Sequence, residues 1–429
     1  MTIAPAAQGR ARGRGRGNAS DGAGAVILAA CAIWSLISAA GRETGPEGVL
    51  LALLAVAAGF ACGRICGTLL PVATATVAAV GALLMGLLSR HGMPGATATV
   101  DTAPGHTGAA AALLVLAAGA ACCAAAAARQ APLRYTLRLL ALGAACAAPA
   151  LRSVAGFAAA LGVLLCSLAA ARMRQRLLGL AGLALAAGLA VGTSWAVAAD
   201  ALPQGLMVSL EGPLTPNRVL LWQDALELAG EHPVLGVGPG RFAELSPAVQ
   251  QTLHSDGKPH SAPLQQAAEQ GVVGVVLLGS AFGWLLYVLW RSPRTTAVVL
   301  TAGAALTALA MLASVGNALS FTPVTAGVGL LAGLASARRP IGDGTAGSDG
   351  ADGTRGPGDG RQGPGPNGAA EGPDAVGAAY DGPLGTVNRT RPSDRAPLRA
   401  VPGPLRPQAL SWIRLRPAHR SSTGAGARG

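Results

Sequence analysis

Aromatic residues make up only 3% of the 429 residues, charged residues only 12%, and Lys258 is the single lysine. So little charge excludes a chain solvated on every side, and 51% hydrophobic residues gathered in long blocks point to a membrane protein. The net charge of +12 is nearly all arginine. With the excess of alanine and glycine, this is what a GC-rich genome encodes, so arginine number alone argues for nothing. The basic residues lie in short clusters between apolar blocks rather than on one face, and nucleic acid is therefore not an expected partner. Cysteine is absent from the polar stretches: Cys31, Cys62, Cys66, Cys122, Cys123, Cys146 and Cys166 all lie within or at the edge of apolar blocks. There they read as small hydrophobes. No histidine or carboxylate stands beside them and no second CxxC-type pair occurs, so neither a metal nor another cofactor is expected. A cleavage site is also missing. The first apolar block is followed by "GRETGPE" rather than small residues, and it reads as a retained anchor.

What is present is a series of apolar blocks near 24–41, 48–63, 67–89, 108–128, 134–150, 153–171, 176–199, 271–290, 296–315 and 321–337. A helix needs about 20 apolar residues to cross a bilayer, which predicts an all-α polytopic protein of about ten spans. Unbroken blocks, rather than alternating ten-residue segments, favour helices over a barrel. Arginines cluster before the first span (Arg10, Arg12, Arg14, Arg16) and after the even-numbered ones (Arg64; Arg129 and Arg134; Arg172, Arg174 and Arg176; Arg291 and Arg294; Arg338 and Arg339). The alternate short connections carry only Arg42, Arg90 and Arg152. By the positive-inside rule both termini are expected in the cytoplasm, with residues 200–270 as one large extracytoplasmic loop.

The expected organisation is a cytoplasmic Arg/Gly-rich segment over 1–23, a transmembrane domain over 24–337, and a tail over 338–429. The tail, with "GTAGSDGADGTRGPGDGRQGPGPNG" and Pro/Arg-rich sequence, cannot bury enough apolar surface to offset its ordering entropy, and is expected to be disordered.

Chemistry-bearing residues collect in the outer loop, where residues 231–274 hold three of the six histidines. In "NRVLLWQDALELAGEHPVLGVGPGRF", Arg218, Trp222 and Leu226 share one helical face, and His232-Pro233 ends that helix. Gly236, Gly238 and Gly240 permit a tight, closely approached backbone. No Gly-Lys-Ser/Thr follows and no βαβ unit surrounds them, so this is neither a Walker loop nor a dinucleotide fingerprint. Downstream, "HSAPLQQAAEQGVVG" begins at His260, turns helical and enters the eighth span at Gly271.

This order of elements resembles the bacterial O-antigen ligases and their relatives, the lipid-linked glycan polymerases. The pattern of an Arg-x3-Trp helix, a His-Pro/Gly-x-Gly loop, a histidine and a Glu-x-Gly before a span is met by Arg218 with Trp222, "HPVLGVGPGRF", His260, and Glu269-Gln270-Gly271. Arg152, in "LRSVAGFAAALGVLL", matches the arginine with which that family begins another span. Three features depart from the pattern: Ser261 stands where asparagine is usual, Asn317 stands near where an acidic residue is common, and the spans are fewer. The resemblance implies transfer of a glycan from a polyprenyl-pyrophosphate donor to an acceptor hydroxyl, on a glycan or lipid, outside the membrane. Arginine suits pyrophosphate because its planar fork makes paired hydrogen bonds to phosphate oxygens, and histidine suits proton abstraction near neutral pH.

On that reading His260 is the general base, Arg218, Arg152 and Arg241 hold the pyrophosphate, and Glu269, Trp222, Gly236 and Gly238 support them. Bland readings stand beside these. Arg152 reads equally as a snorkelling residue at a helix end, Arg218 as a partner of Asp224 or Glu211, and His260 as a solvated loop histidine. Glu269 reads either as orienting His260 or as pairing with an arginine. His232 shapes a helix end, His254 is exposed, and Lys258 adds positive charge. Rival functions are a lipid-linked glycan polymerase, a lipid-linked oligosaccharide transporter, and a non-catalytic envelope assembly protein. Transporters place ionisable groups at mid-membrane in broken helices, whereas here they lie at span ends and in one loop.

Overall fold

The most alanine-rich block forms the centre of the bundle. In the computed structural model, which describes residues 5–42, 45–89, 105–201, 216–251 and 257–338, helix α4 (Gly105–Ala127) has 94% of its apolar window buried. From Gly108 onward it carries no charge and almost only Ala, Leu, Gly, Val and Cys, so neighbours can surround it on every side. Around it pack α3 (Pro71–Leu88), α5 (Ala131–Ala150), α6 (Val154–Ala170), α12 (Thr296–Ser314) and α13 (Thr322–Ser336). The remaining long helices are α1 (Pro5–Ala39), α2 (Glu47–Leu69), α7 (Arg176–Ala198), α8 (Pro216–Glu231) and α11 (Ala262–Arg291), with short α9 (Phe242–Leu245) and α10 (Pro247–Gln250) between the last two. Large exposed apolar side chains such as Leu54, Ile65, Val77 and Leu139 form the lipid-facing surface.

Each of the ten apolar blocks is helical, but seven helices among the described residues are long and apolar enough to cross a membrane. The difference has a physical origin. α6 and α13, at 17 and 15 residues, reach about 26 and 23 Å against a hydrocarbon core of about 30 Å. α5 spends its first turns on Arg134 and Arg138. The expected loop over 200–270 contains α8, α9, α10 and the start of α11, with residues 202–215 and 252–256 outside the described set. The expected tail, apart from Arg338, also lies outside it. The chain divides into two units, Met1–Ala351 and Asp352–Gly429, of which only the first contains described residues.

α2 and α13 cross in direct backbone contact. Gly59, Gly63 and Gly67 line one helix at every fourth position, and Gly329 and Gly333 line the other. A Cβ on Gly63 would stand 2.3 Å from Leu330 O, and one on Gly329 would stand 2.2 Å from Val56 O. Small residues at this spacing let helices associate through close packing without a hydrophobic driving force.

The connections gather at two ends. At one, Asp21 pairs with Arg64 at 2.8 Å, Arg294 Nη2 donates to Gly67 O at 2.6 Å, and Arg176 Nη1 donates to Ser292 O at 2.7 Å and Trp290 O at 3.1 Å. At the other, the end of α7 (Val197, Ala198) and Val315 after α12 pack with Trp222 of α8. Gly108 at the head of α4 adjoins Asn317, and Gly156 at the head of α6 abuts Ala111. That second end holds Arg42, Arg152 and the described residues from α8 to Gly271.

The α2–α13 crossing predicts that Gly63→Leu or Gly329→Leu costs at least the 1–3 kcal/mol typical of overpacking. The monodisperse fraction on size exclusion in detergent is expected to fall. Gly162→Leu, at a position with nothing within 4 Å, serves as the control and is expected to behave as wild type.

Candidate active site at the broken helix

α11 is broken at Gly271, where φ 69° and ψ −165° fall in a region that is essentially glycine-only. A break inside a packed helix exposes carbonyls and an amide that must find partners in the protein. They find them in the glycine loop. Val237 N donates to Ala268 O at 2.8 Å, Gly238 N to Glu269 O at 2.9 Å, and Val272 N to Pro233 O at 2.8 Å. Gln270 O accepts from Trp34 Nε1 of α1 at 3.1 Å. Loop and helix meet backbone to backbone. A Cβ on Gly271 would lie 2.2 Å from Val234 O, and one on Gly236 would lie 2.4 Å from the Glu269 carbonyl carbon.

The amides of Gly236, Val237, Gly238 and Gly240 are thereby committed. Gly236 N donates to His232 O at 3.0 Å, Val237 and Gly238 donate to α11, and Gly240 N donates to the Glu269 carboxylate. Pro239 has no amide proton. The glycines therefore seal the broken helix, and their main-chain donors are not left to cradle a phosphate.

Glu269 is the charged group at the seam. It is 4% exposed, its Oε1 accepts from Gln265 Nε2 at 3.1 Å, and Lys258 is its nearby positive charge. The helix breaks two residues later, so Glu269 sits on the segment ahead of the roughly 20 apolar residues that cross. Burial pushes its carboxyl up to about 7, against the opposing pull of Gln265, the Gly240 amide and Lys258. Its contacts among the described residues include the Gln265 side-chain amide and the Gly240 N–H. It anchors the loop.

His260 immediately precedes α11, half-buried and at φ 53°. Among the described residues only three non-glycine positions take positive φ, and two of them are His260 and Arg152 (φ 56°). Such geometry is retained where the surroundings over-determine it. Ser261 is the N-cap of α11, but its hydroxyl, 1% exposed, makes no hydrogen bond among the described residues. Arg241 follows the loop directly and pairs with Glu244 at 3.5 Å, half-exposed. Arg218 lies half-buried in the first turn of α8. One turn on, Trp222 is 1% exposed among Phe242, Leu264 and Ala268, so its support consists of packing α8 onto the pre-break segment. Asp224 accepts from Ser246 Oγ and, at 3.0 Å, from Ala248 N, which fastens α9 and α10 to α8. Arg152 is exposed at the α5–α6 junction, where Ser153 Oγ caps α6 through Gly156 N at 3.1 Å. Glu211 and His254 lie outside the described residues.

The structure thus joins Gly236, Gly238, Glu269 and the residue flanking Arg241 in one network, and places Arg152 and Arg218 at the same end on other elements. Sequence reasoning missed α1. Arg42 donates from Nη2 to Gly236 O at 3.0 Å, and Trp34 holds Gln270. Arg42 lies past the end of α1, beyond Gly41 at φ 74°, so no helical periodicity in the sequence tied it to Trp34. Among the described residues no three His, Cys, Asp or Glu side chains come together as a metal site.

These features define a polytopic α-helical membrane protein whose polar chemistry lies at one end of the bundle, on a broken helix sealed by a glycine loop. The O-antigen ligase family model matches residues 18–279, from α1 to beyond the break in α11, and the chain belongs to that family. It is thus an O-antigen ligase- or polymerase-like membrane glycosyltransferase by membership. No curated protein matches the chain.

The raised carboxyl of Glu269 fixes a sign. Between the ordinary carboxylate range and about 7 the folded state holds a proton that the unfolded state has released, so stability falls as pH rises through that interval. Thermal unfolding of the purified protein in detergent is expected to show this decline. Glu269→Gln, neutral throughout, is expected to remove it.

Proposed function

We propose that the protein moves a glycan from a polyprenyl-pyrophosphate donor to an acceptor hydroxyl on the outer side of the membrane, in the manner of an O-antigen ligase. One observation carries this reading: the two separated parts of the family-like pattern, the His-Pro/Gly-x-Gly loop and Glu-x-Gly, meet as hydrogen-bonded backbone, with His260 heading the same helix. The neighbouring arginines favour an anionic leaving group. In the proposed step the acceptor oxygen attacks the anomeric carbon while its proton passes to His260. The bond from that carbon to the pyrophosphate oxygen breaks, and its electron pair leaves with the lipid pyrophosphate. Arg218, Arg241 and Arg152 stabilise the charge that develops there. Guanidinium groups do this without a metal ion, and the amides of Gly236, Val237, Gly238 and Gly240, already committed, do not contribute. A lipid-linked glycan polymerase would differ only in using a second lipid-linked glycan as acceptor.

Orientation belongs to the same proposal. Both termini are cytoplasmic, and the end carrying α8 and the break faces outward, beyond about ten helices, of which the shorter ones cross with local thinning of the bilayer. A cysteine introduced at exposed Glu231 is expected to react with an impermeant maleimide in intact cells, above the wild-type background. Reaction only after lysis would invert the orientation.

The chemistry is tested with purified protein in liposomes, a polyprenyl-pyrophosphate glycan and an acceptor. His260→Ala is expected to lose about 10²–10⁴-fold in rate, the range that positioned acid–base catalysis supplies, with unchanged membrane insertion. Arg218→Ala is expected to raise the donor KM, and Arg218→Lys to restore only part of the affinity, because a point charge does not reproduce the paired fork. A chelator is expected to leave the rate unchanged. Wild-type transfer by His260→Ala would remove the base assignment, and absence of transfer in wild type would favour a transporter or scaffold.

A further inference from the structure

The first helix grips both sides of the seam. From α1, Trp34 Nε1 donates to Gln270 O, the carbonyl freed by the break, at 3.1 Å. Just past the end of the same helix, Arg42 Nη2 donates to Gly236 O at 3.0 Å, while its Nη1 donates back to Ser38 O. The Arg42 stem lies on Gly238, where a Cβ would come within 2.6 Å of both Cδ and Nη1. Gly238 is thus small for a reason distinct from that of Gly236. It makes room for Arg42, whereas Gly236 makes room for α11.

We propose that Arg42 is a positioning residue for glycan transfer, and that together with Trp34 it locks the loop of residues 233–240 to the broken helix so that Arg241 stays in register with His260. The proposal deepens the transferase reading and rests on it. Two nitrogens of the guanidinium go to backbone carbonyls, one on each side, so Arg42 holds protein to protein. A lysine has no planar fork to span two carbonyls at once. The loop has little else to hold it: its main-chain bonds run to α11, whose own backbone is interrupted at that point, and Glu269 reaches it from beneath through Gly240. Without Arg42, Gly236 O loses its donor and the outer side of the loop loses its cover. Arg241, immediately after Gly240, would then sample positions away from the donor.

The test uses the full chain in nanodiscs, with two readouts. Hydrogen exchange of the Val237 and Gly238 amides reports the seam, and steady-state transfer from the polyprenyl-pyrophosphate glycan reports function. In Arg42→Gln those amides are expected to exchange about tenfold faster, the scale of one lost hydrogen bond, while α4 and α12 keep wild-type protection. The kcat is expected to fall by about tenfold or more with the donor KM nearly unchanged, and Arg42→Lys is expected to recover part of it. Trp34→Phe keeps the ring and removes only the N–H, so a similar, smaller change there supports the lock even if Arg42→Gln inserts poorly. Wild-type exchange at Val237 and Gly238 in both variants would overturn the proposal. So would a raised donor KM with unchanged kcat, which would make Arg42 a donor contact. If wild type itself transfers no glycan, the transferase reading fails by that result, while the exchange data still decide the lock.

Discussion

The arrangement of this end of the protein depends on one interruption, the break in α11 at Gly271. Buried carbonyls and amides left free cost several kcal/mol each unless the protein satisfies them. Three hydrogen bonds to the loop and one from Trp34 meet that requirement. The requirement explains the loop's composition. Pro233 offers a carbonyl to Val272, Gly236 lets the loop lie on helix backbone, and Gly238 admits Arg42. Glu269 adds a side-chain anchor from beneath. Each of these residues answers to the break.

Arginine alone does not mark such a site. At the opposite end, Arg176 spends its guanidinium on the carbonyls of Trp290, Ser292 and Arg294, and Arg294 caps the end of α2 through Gly67 O. Those arginines tie helix ends together. Arg241 is instead half-exposed beside the seam, paired only loosely with Glu244, and Arg152 is exposed in a left-handed conformation. The difference between the two ends lies in what the guanidinium touches.

The helical architecture was legible because long apolar blocks have one solution in lipid. The end of α8 before Pro233, the entry into a span at Gly271 and the clustering of polar residues were likewise readable from Gly and Pro positions, whereas the break at Gly271 was not. The pairing of loop with helix was not, because it runs through main-chain atoms, which leave only glycines as a trace. Gly59, Gly63, Gly67, Gly329 and Gly333 stood in the sequence at every fourth position, yet in so glycine-rich a chain they read as composition. The α1 contribution was hidden for another reason: Arg42 entered the charge count as one outer arginine, and only the fold brings it to Gly236. Ten apolar blocks were read as ten spans, whereas seven helices among the described residues reach spanning length, because α6 and α13 are apolar throughout but short.

The central claim is that the lipid pyrophosphate is received at the end of the bundle that carries the break. A diazirine-bearing polyprenyl diphosphate, photolysed with the reconstituted protein and mapped by mass spectrometry, tests it directly. The account predicts labelling in peptides covering residues 216–251 and 257–271, competed by unlabelled polyprenyl diphosphate. Competed labelling concentrated instead around Arg176 and Arg291–Arg294, at the opposite end, would contradict it.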